Sequence, residues 1–503
     1  MKGGAGLERV PVIIGVGEVV DRGDADVPRE PVALMAQALA AADADGGGGW
    51  LDRLDSLDIV NSVSWPYADL PGELARHLGR RPARLEYGPV GGETPVRFLH
   101  EAALRIARGE SAVAAICGGE ARHAADRAAR RGESLPWGAR DAGWTDPRRR
   151  DYLHPLARAH GLSEPVYVYP LYEVASQAAW GQTPREGNAE SAQLWEGLSR
   201  IAAANPYAFI RRPHTADEIA TPGEGNRMVA WPYPKLQVAN PSVNQGMGIL
   251  MTTQALARAA GIPDAHMVFL LGGAGAQEPR DWVSRDVYFR SSAQDAVLAA
   301  ALARGGVEAG ALDAVELYSC FPCVPKMARR TLSMPADAPF SVAGGLTFFG
   351  APLNAYMGHA AAAMVRRLRA APGAKGLLYG QGEFVTKHHA LVLASGPGHL
   401  LDGSDLSVQG EADRRRGHVP VIFGEAEGAA TVETFTILYD RSGAALRGVV
   451  VLRLPGGERT LARVLADDRA SLAALTDLEH TAVGLGGHVR KADDGLLEWS
   501  VTR

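Results

Sequence analysis

Only three cysteines occur in 503 residues, too few for a disulfide scaffold and in keeping with a reducing compartment. Excess charge is also scarce. Lys plus Arg number 52 against 57 Asp plus Glu, a formal net of −5, which excludes a chain-wide basic footprint for nucleic acid. No stretch approaches the ~18–20 uninterrupted apolar residues of a membrane span. The apolar N-terminal run Val10–Gly17 is short and leads into Glu18, so it reads as a buried strand rather than a signal peptide. The C-terminal Ser500-Val501-Thr502-Arg503 carries no peroxisomal or retention signal. Neither a membrane nor a nucleic-acid partner is expected, and a cytoplasmic location is the simplest one. At 46% apolar and 22% charged residues, the composition is that of a globular chain of two or three domains.

Short apolar β-branched runs alternate with Ala-rich helical patterns, the signature of βαβ units. Strands are predicted at 10–16, 57–60, 112–117, 267–271, 314–318, 376–379 and 390–394. Helices are predicted at 31–42, 95–108, 242–260, 292–304 and 353–370, with Thr94 as an N-cap before Pro95. A faint repeat overlies this pattern. Gly91-Gly92-Glu93-Thr94-Pro95 opens a helix leading to the strand that ends Gly118-Gly119-Glu120. Gly350-Ala351-Pro352-Leu353 opens another, leading to Gly380-Gln381-Gly382-Glu383. A domain duplication explains both. Residues 121–236 break the alternation, and a long insertion of this kind usually carries function.

Residues 401–503 read as three strands, a short helix and two strands, the order of a small OB-like barrel. Val432, Thr434, Thr436 and Leu438 are predicted on one face of the first strand, Glu433, Phe435, Ile437 and Tyr439 on the other. This segment holds 12 basic and 16 acidic residues, which argues against the nucleic-acid role such barrels often have.

Five further segments order the chain: Ile116-Cys117-Gly118-Gly119-Glu120, Asn240-Pro241-Ser242-Val243-Asn244-Gln245-Gly246, Leu317-Tyr318-Ser319-Cys320-Phe321, Gly344–Gly350, and the Gly91–Pro95 motif. In their order and spacing they resemble the thiolase superfamily, specifically its thiolase-like members with an additional C-terminal domain. That resemblance implies an α/β five-layered αβαβα fold of two similar halves, an inserted loop domain and acyl-CoA as ligand. It divides the chain into an N-terminal thiolase-like domain (1–262, with the insertion at 121–236), a C-terminal one (263–400) and the additional barrel (415–503).

The resemblance also marks departures. A working thiolase acylates a cysteine at a helix N-terminus, where dipole and free N–H groups depress its pKa; the equivalent here is Gly92. The histidine of the family's Gly-His-Pro motif is Ala351, and the cysteine of its Cys-x-Gly motif is Gly380. The His or Asn beside the enolate oxygen is Tyr318. With tyrosines at 318 and 356, the pattern is similar to the thiolase-like aldolases that shorten steroid side chains. Tyr318 is then the expected principal acid/base, with Tyr356, His359 and His388 assisting. Substrate and CoA contacts are expected at Gly92, Gly380 and Cys320, with N–H groups near the two glycines facing the thioester oxygen. Arg148–Arg150 and Arg211-Arg212 are candidates for the CoA phosphates. No cofactor other than the coenzyme A thioester substrate, and no metal, is expected.

The leading expectation is a cysteine-independent enzyme that makes or breaks a C–C bond of an acyl-CoA by aldol or Claisen chemistry. Two alternatives stay open: a non-catalytic acyl-CoA-binding scaffold, and conventional acyl transfer with Cys320 as nucleophile. Cys320-Phe321-Pro322-Cys323 also has the outline of a dithiol motif, and Gly272–Ala276 that of a weak dinucleotide loop lacking its third spaced glycine. Homodimer and monomer are both compatible with the sequence.

Overall fold

The computed structural model describes residues 9–23, 27–146, 148–396, 398, 401 and 406–502. Its body is one nine-stranded mixed sheet built from β1 (Pro11–Val20), β2 (Ser56–Ile59), β3 (Arg84–Tyr87), β4 (Val113–Ala121), β7 (Asn244–Thr253), β8 (Val268–Gln277), β9 (Ala314–Leu317), β10 (Lys375–Gly382) and β11 (Lys387–Ala394). Two short strands, β5 (Met228–Ala230) and β6 (Tyr233–Pro234), belong to the insertion. The order is β3-β2-β4-β7-β1-β8-β11-β10-β9. Read outward from the centre, β1-β7-β4-β2 and β8-β11-β10-β9 are the same arrangement. In each half the last pair is parallel and the others antiparallel. The halves meet where Val12 and Ile13 pair with Phe269 and Val268.

Helices occupy matching places in the two halves. Helix Pro31–Asp45 packs on β1, β4 and β7, and helix Ser292–Gly305 packs on β8 and β11. Helices Thr94–Arg108 and Tyr356–Arg369 pack on each other and on strands of both halves. This is the αβαβα layering of two similar halves, and it explains the repeat: the motif at 91–95 and the one at 350–353 each open a central helix.

Strands covered on both faces carry near-continuous apolar runs. All ten residues of β7 are buried. That explains the one element mistaken by type: 244–253, predicted as part of a helix over 242–260, is this central strand, and only Gln254–Ala259 is helical. Gly272–Ala276 likewise lies inside β8 and makes no phosphate loop. Thr94 is the first helical residue rather than the cap, which is Glu93 with no side-chain capping bond. The helix predicted from 353 starts as a short turn at Leu353–Ala355 before Tyr356.

The insertion is more regular than its composition suggested. Helices Pro165–Ala179 and Pro184–Ala204 dominate it, the second opened by a Thr183/Glu186 capping box. The boundary expected near 400 falls largely outside the described residues. Beyond it, β12 (Gly428–Tyr439), β13 (Ala445–Arg453), β14 (Arg459–Leu465), β15 (Gly486–Lys491) and β16 (Leu497–Val501) form a closed five-stranded barrel, with helix Arg469–Leu475 between the third and fourth strands. Its core includes Val432, Phe435, Ile437, Leu452, Val464 and Trp499. A register shift between Val432 and Thr434 inserts one residue and reverses the alternation. Val432 therefore points inward with Phe435 and Ile437, not outward with Thr434. The hydroxyls of Thr434 and Thr436 face the body instead, donating to the carbonyls of Leu171 (2.6 Å) and Trp231 (3.2 Å). β12 also pairs with β5 through Leu438 and Ala230.

Candidate active site

A cavity of about 360 Å³ opens where the N-terminus of helix Thr94–Arg108 faces the end of β9. Its floor is Gly91, Gly92, Tyr318, Cys320, Ala351 and Gly382, and its wall includes Val166, Tyr169 and Leu346 from the insertion and the 344–350 segment. A mostly apolar enclosure with a few convergent polar groups is the usual form of a small-molecule site.

Gly92 and Tyr318 are pressed together. A Cβ built at position 92 would lie 2.4 Å from Tyr318 Oη and 2.5 Å from the carbonyl oxygen of Gln381. The tyrosine hydroxyl therefore occupies the space into which any side chain at 92 would extend. Position 380 is closed in the same way: its Cβ would meet Glu93 Cα at 2.9 Å. Gly380 lies within β10, paired to His389, and does not line the cavity, whereas Gly382 does. The expectation of an exposed N–H at a turn is corrected there.

Tyr318 lines the cavity, and its hydroxyl makes no hydrogen bond among the described residues. Burial pushes the phenol well above its ordinary pKa, with Cys320 and Glu93 adding to the effect. It stays protonated and is poised to donate. Tyr356 packs edge-on against it, ring centres 6.0 Å apart. The Tyr356 hydroxyl, however, points away from the cavity, donating to Glu316 Oε1 (2.7 Å) and accepting from the Gly345 N–H (3.1 Å). Tyr356 thus holds the ring of Tyr318 and does not meet a ligand.

The two histidines lie elsewhere. Nδ1 of His359 is 2.7 Å from Glu18 Oε1, fully buried against β1. His388 is bonded to the Tyr379 hydroxyl (2.7 Å) and the Ser291 hydroxyl (3.2 Å). Burial depresses it to about 4, so it is neutral at pH 7. It lines a separate cavity of about 180 Å³ behind the floor. A shared helical face joined Tyr356 and His359 correctly, but that face is turned towards the buried carboxylates of β9 and β1.

Cys320 lines the cavity, and the Gln381 Nε2–H donates to its sulfur (3.3 Å). Burial pushes its thiol up to about 12, with the neighbouring Tyr169 hydroxyl and the Gln381 amide opposing it, the opposite of what a nucleophilic thiolate requires. Cys323 is fully buried, donating to the Tyr169 carbonyl (3.7 Å), and all three cysteines are free thiols.

Arg211 and Arg212 lie outside the cavity. Arg211 is exposed and donates to the Ala203 carbonyl, and Arg212 pairs with Glu218. The mouth is instead lined by Arg122, Arg148, Arg149, Arg150 and Arg280, against the carboxylates Glu164 and Glu383. Arg150 pairs with Glu164 (2.7 Å) and Arg280 with Glu383 (2.5 Å). Arg149 extends into solvent and pairs with the equally exposed Asp151 (3.2 Å).

Several site residues carried no pattern of their own. Tyr169 Oη donates to the Glu383 carbonyl (2.5 Å) and accepts from Gln381 Nε2 (2.7 Å). Asn354 accepts from the Gly91 N–H (2.9 Å) and donates to the Asn61 carbonyl (2.9 Å), fixing the turn before Gly92. Only an isolated Asn in an apolar stretch after Ala351-Pro352 hinted at this.

Residues 408–494 match the family described as the thiolase-like protein type 1 additional C-terminal domain. A comparison with curated proteins finds no match. Among solved structures, a monomeric SCP2-thiolase-like protein type 1 from Mycobacterium smegmatis superposes with a TM-score of 0.83 at 27% identity. The match covers 98% of this chain and 99% of that one. The Ltp2–ChsH2(DUF35) aldolase matches at TM-score 0.59 and 18% identity, over 77% of this chain and 98% of that one. Human mitochondrial 3-ketoacyl-CoA thiolase matches at 0.54 and 13%, over 77% and 99%.

Proposed function

We propose that this chain, a thiolase-fold protein with the additional C-terminal domain of the thiolase-like type 1 proteins, binds an acyl-CoA thioester in the cavity at Gly92. There it makes or breaks a carbon–carbon bond by aldol or Claisen chemistry without a cysteine nucleophile. One observation carries the reading: Tyr318 Oη stands 2.4 Å from where a side chain at 92 would begin. A tyrosine hydroxyl has taken over the space of a thiol, leaving a proton donor where an acyl acceptor would be needed. Ala351, also on the cavity floor, has no proton to exchange.

In the retro-aldol direction, the β-hydroxyl gives up its proton to water at the cavity mouth and its oxygen becomes a carbonyl. The Cα–Cβ bond breaks, and its electron pair passes into the thioester as an enolate. The phenol of Tyr318, held protonated by burial, donates to the oxygen where that charge develops. The arginines at the mouth suit the phosphates of CoA. The likeness to a protein described as an aldolase favours the aldol direction over Claisen condensation.

The test is turnover of a panel of β-hydroxyacyl-CoA and β-ketoacyl-CoA thioesters by the wild type, Tyr318→Phe and Cys320→Ala. Tyr318→Phe should lose on the order of 10²–10³-fold in kcat, with Cys320→Ala close to wild type. Loss on Cys320→Ala alone establishes acyl transfer through that thiol. Tight CoA binding without turnover of any member establishes the scaffold.

A further inference from the structure

We propose that Glu93 is the proton-relay residue of this site, exchanging protons between the acyl cavity and water in the smaller cavity behind its floor. The inference rests on the acyl-CoA reading above. The two cavities share a thin partition: Gly91, Gly92 and Gly382 line the first, while Glu93 lines the second together with Arg97, Lys387, Gln277 and Gln409. The Glu93 carboxyl fills the partition itself. A Cβ at Gly91 would lie 2.4 Å from Glu93 Oε2, and one at Gly382 only 2.2 Å from it. Two residues without side chains are all that stands between this carboxyl and the cavity, and each must be glycine for the carboxyl to be there.

Glu93 is 6% exposed, and its Oε2 has no hydrogen-bond partner among the described residues. As the residue before the first turn it makes no side-chain capping bond; its own backbone N–H is the one backbone group that favours its charged form. Arg97, one turn on, is paired with Glu101 at 3.4 Å and also lines the second cavity. An unmatched carboxyl oxygen beside a polar cavity of about 180 Å³ that is also lined by Arg97, Lys387 and Gln277 suits ordered water. Burial raises the Glu93 carboxyl, as does Glu383, and Lys387 and Arg97 oppose them; the net direction is upward. His388 and His389, lining the same cavity, are held neutral by burial. Tyr318 feels the charge of Glu93 from the other side.

The exchange balances. One proton leaves Glu93 for the enolate carbon, carried across the floor by water and the Tyr318 hydroxyl, which gives up one proton as it takes another, forming a C–H bond and leaving a carboxylate. Water in the second cavity reprotonates the carboxylate. The proton shed by the β-hydroxyl as its oxygen becomes a carbonyl passes to water at the mouth of the acyl cavity, so one proton enters the protein and one leaves it. Glu93 acts through the floor without touching substrate, so it is a positioning residue.

Infrared spectra of the ligand-free wild type and Glu93→Gln, recorded across a pH series, should differ by one carboxyl that titrates above the ordinary glutamate range and is present only in the wild type. With acetyl-CoA in D₂O, exchange of the methyl protons followed by NMR should be at least 10-fold slower in Glu93→Gln. Its pH profile should be flat where the wild type titrates, and Glu93→Asp should recover part of the rate. Identical infrared spectra overturn the inference whatever the substrate is. A Glu93→Gln protein that exchanges as fast as wild type, with the same pH profile, overturns it while leaving the acyl-CoA reading intact. A wild type that exchanges no thioester proton overturns both. Should Glu93→Gln not fold, Glu93→Asp, which keeps the acid but shortens its reach, should exchange more slowly than wild type, and an equal rate overturns the inference.

Discussion

Alanine at position 92 tests whether Gly92 and Tyr318 exchanged their bulk as a pair. Its Cβ would sit 2.4 Å from Tyr318 Oη, 2.6 Å from Cζ and 2.5 Å from the Gln381 carbonyl oxygen, all well inside van der Waals contact. The ring cannot swing aside cheaply, because Tyr356 packs edge-on against it and is itself tied to Glu316. Overpacking of a core costs about 1–3 kcal/mol; two obstructions, one of them backbone, place Gly92→Ala near the top, at about 3 kcal/mol. Tyr318→Ala removes the ring and hydroxyl but leaves the Gln381 carbonyl, so about half of that strain disappears in the double variant. The expected coupling is about 1.5 kcal/mol, inside the range for residues in direct contact. Urea unfolding of wild type, both single variants and the double variant, followed by circular dichroism, measures it. Costs that add to within about 0.5 kcal/mol would refute the claim that the hydroxyl occupies the side-chain space of residue 92.

Two more outcomes concern the frame around the site. Burial alone would raise the Glu278 carboxyl, but the charge of Arg285, the Ala293 N–H and the Ser291 hydroxyl outweigh it and hold the group at about 2. A folded pKa below the ordinary 4.5 means stability that is present above pH 4.5 and lost as pH falls towards 2, worth about 3 kcal/mol. Glu278→Gln should flatten that acid limb in unfolding measurements between pH 6 and 2, and an unchanged slope would sink the assignment. Arg459 is fully buried, donating to the carbonyls of Val283 (2.6 Å) and Arg285 (2.5 Å) and pairing with Glu433 (2.6 Å). Arg459→Met leaves the buried Val283 and Arg285 carbonyls without these donors and Glu433 with Arg453 (2.8 Å) as its cation, at a cost of about 1–3 kcal/mol. Amide exchange in β12–β14 should accelerate, and unaltered protection would show that the barrel is held by other contacts.

How much of this was legible beforehand differs from element to element. The duplication could be read because each half opens its central helix with a Gly- and Pro-bearing turn, and such turns survive as local signals. The barrel could be read because its strands alternate between two environments. β7 could not, since a strand buried on both faces has no alternation, and its Met, Leu and Gln residues favour helices. The bulge after Val432 was invisible for the same kind of reason: nothing in the side chains marks one extra backbone residue. Within the site, Gly92, Tyr318 and Cys320 were found through motif position. Tyr356 and His359 were placed on the right helix but facing the wrong way, because spacing sets which residues share a face and not what that face meets, and His388, expected in a loop, lies within β11. Glu18 and Glu316, lone carboxylates in apolar strands, were the overlooked clues to where His359 and Tyr356 would turn. Glu93 lay inside a recognised motif, yet its significance depends on the side chains absent at 91 and 382, which only geometry reveals.

Helix Pro165–Ala179 stands between the barrel and the cavity. Val174 belongs to the barrel's core and the Leu171 carbonyl takes a hydrogen bond from Thr434, while Pro165, Val166 and Tyr169 line the ligand's wall. One rigid element thus has two clients. Free energy spent ordering it for either is already spent for the other, and by thermodynamic reciprocity the two must favour each other equally. The C-terminal domain thus bears on the cavity through one shared wall: any free energy that couples the two must act equally in both directions.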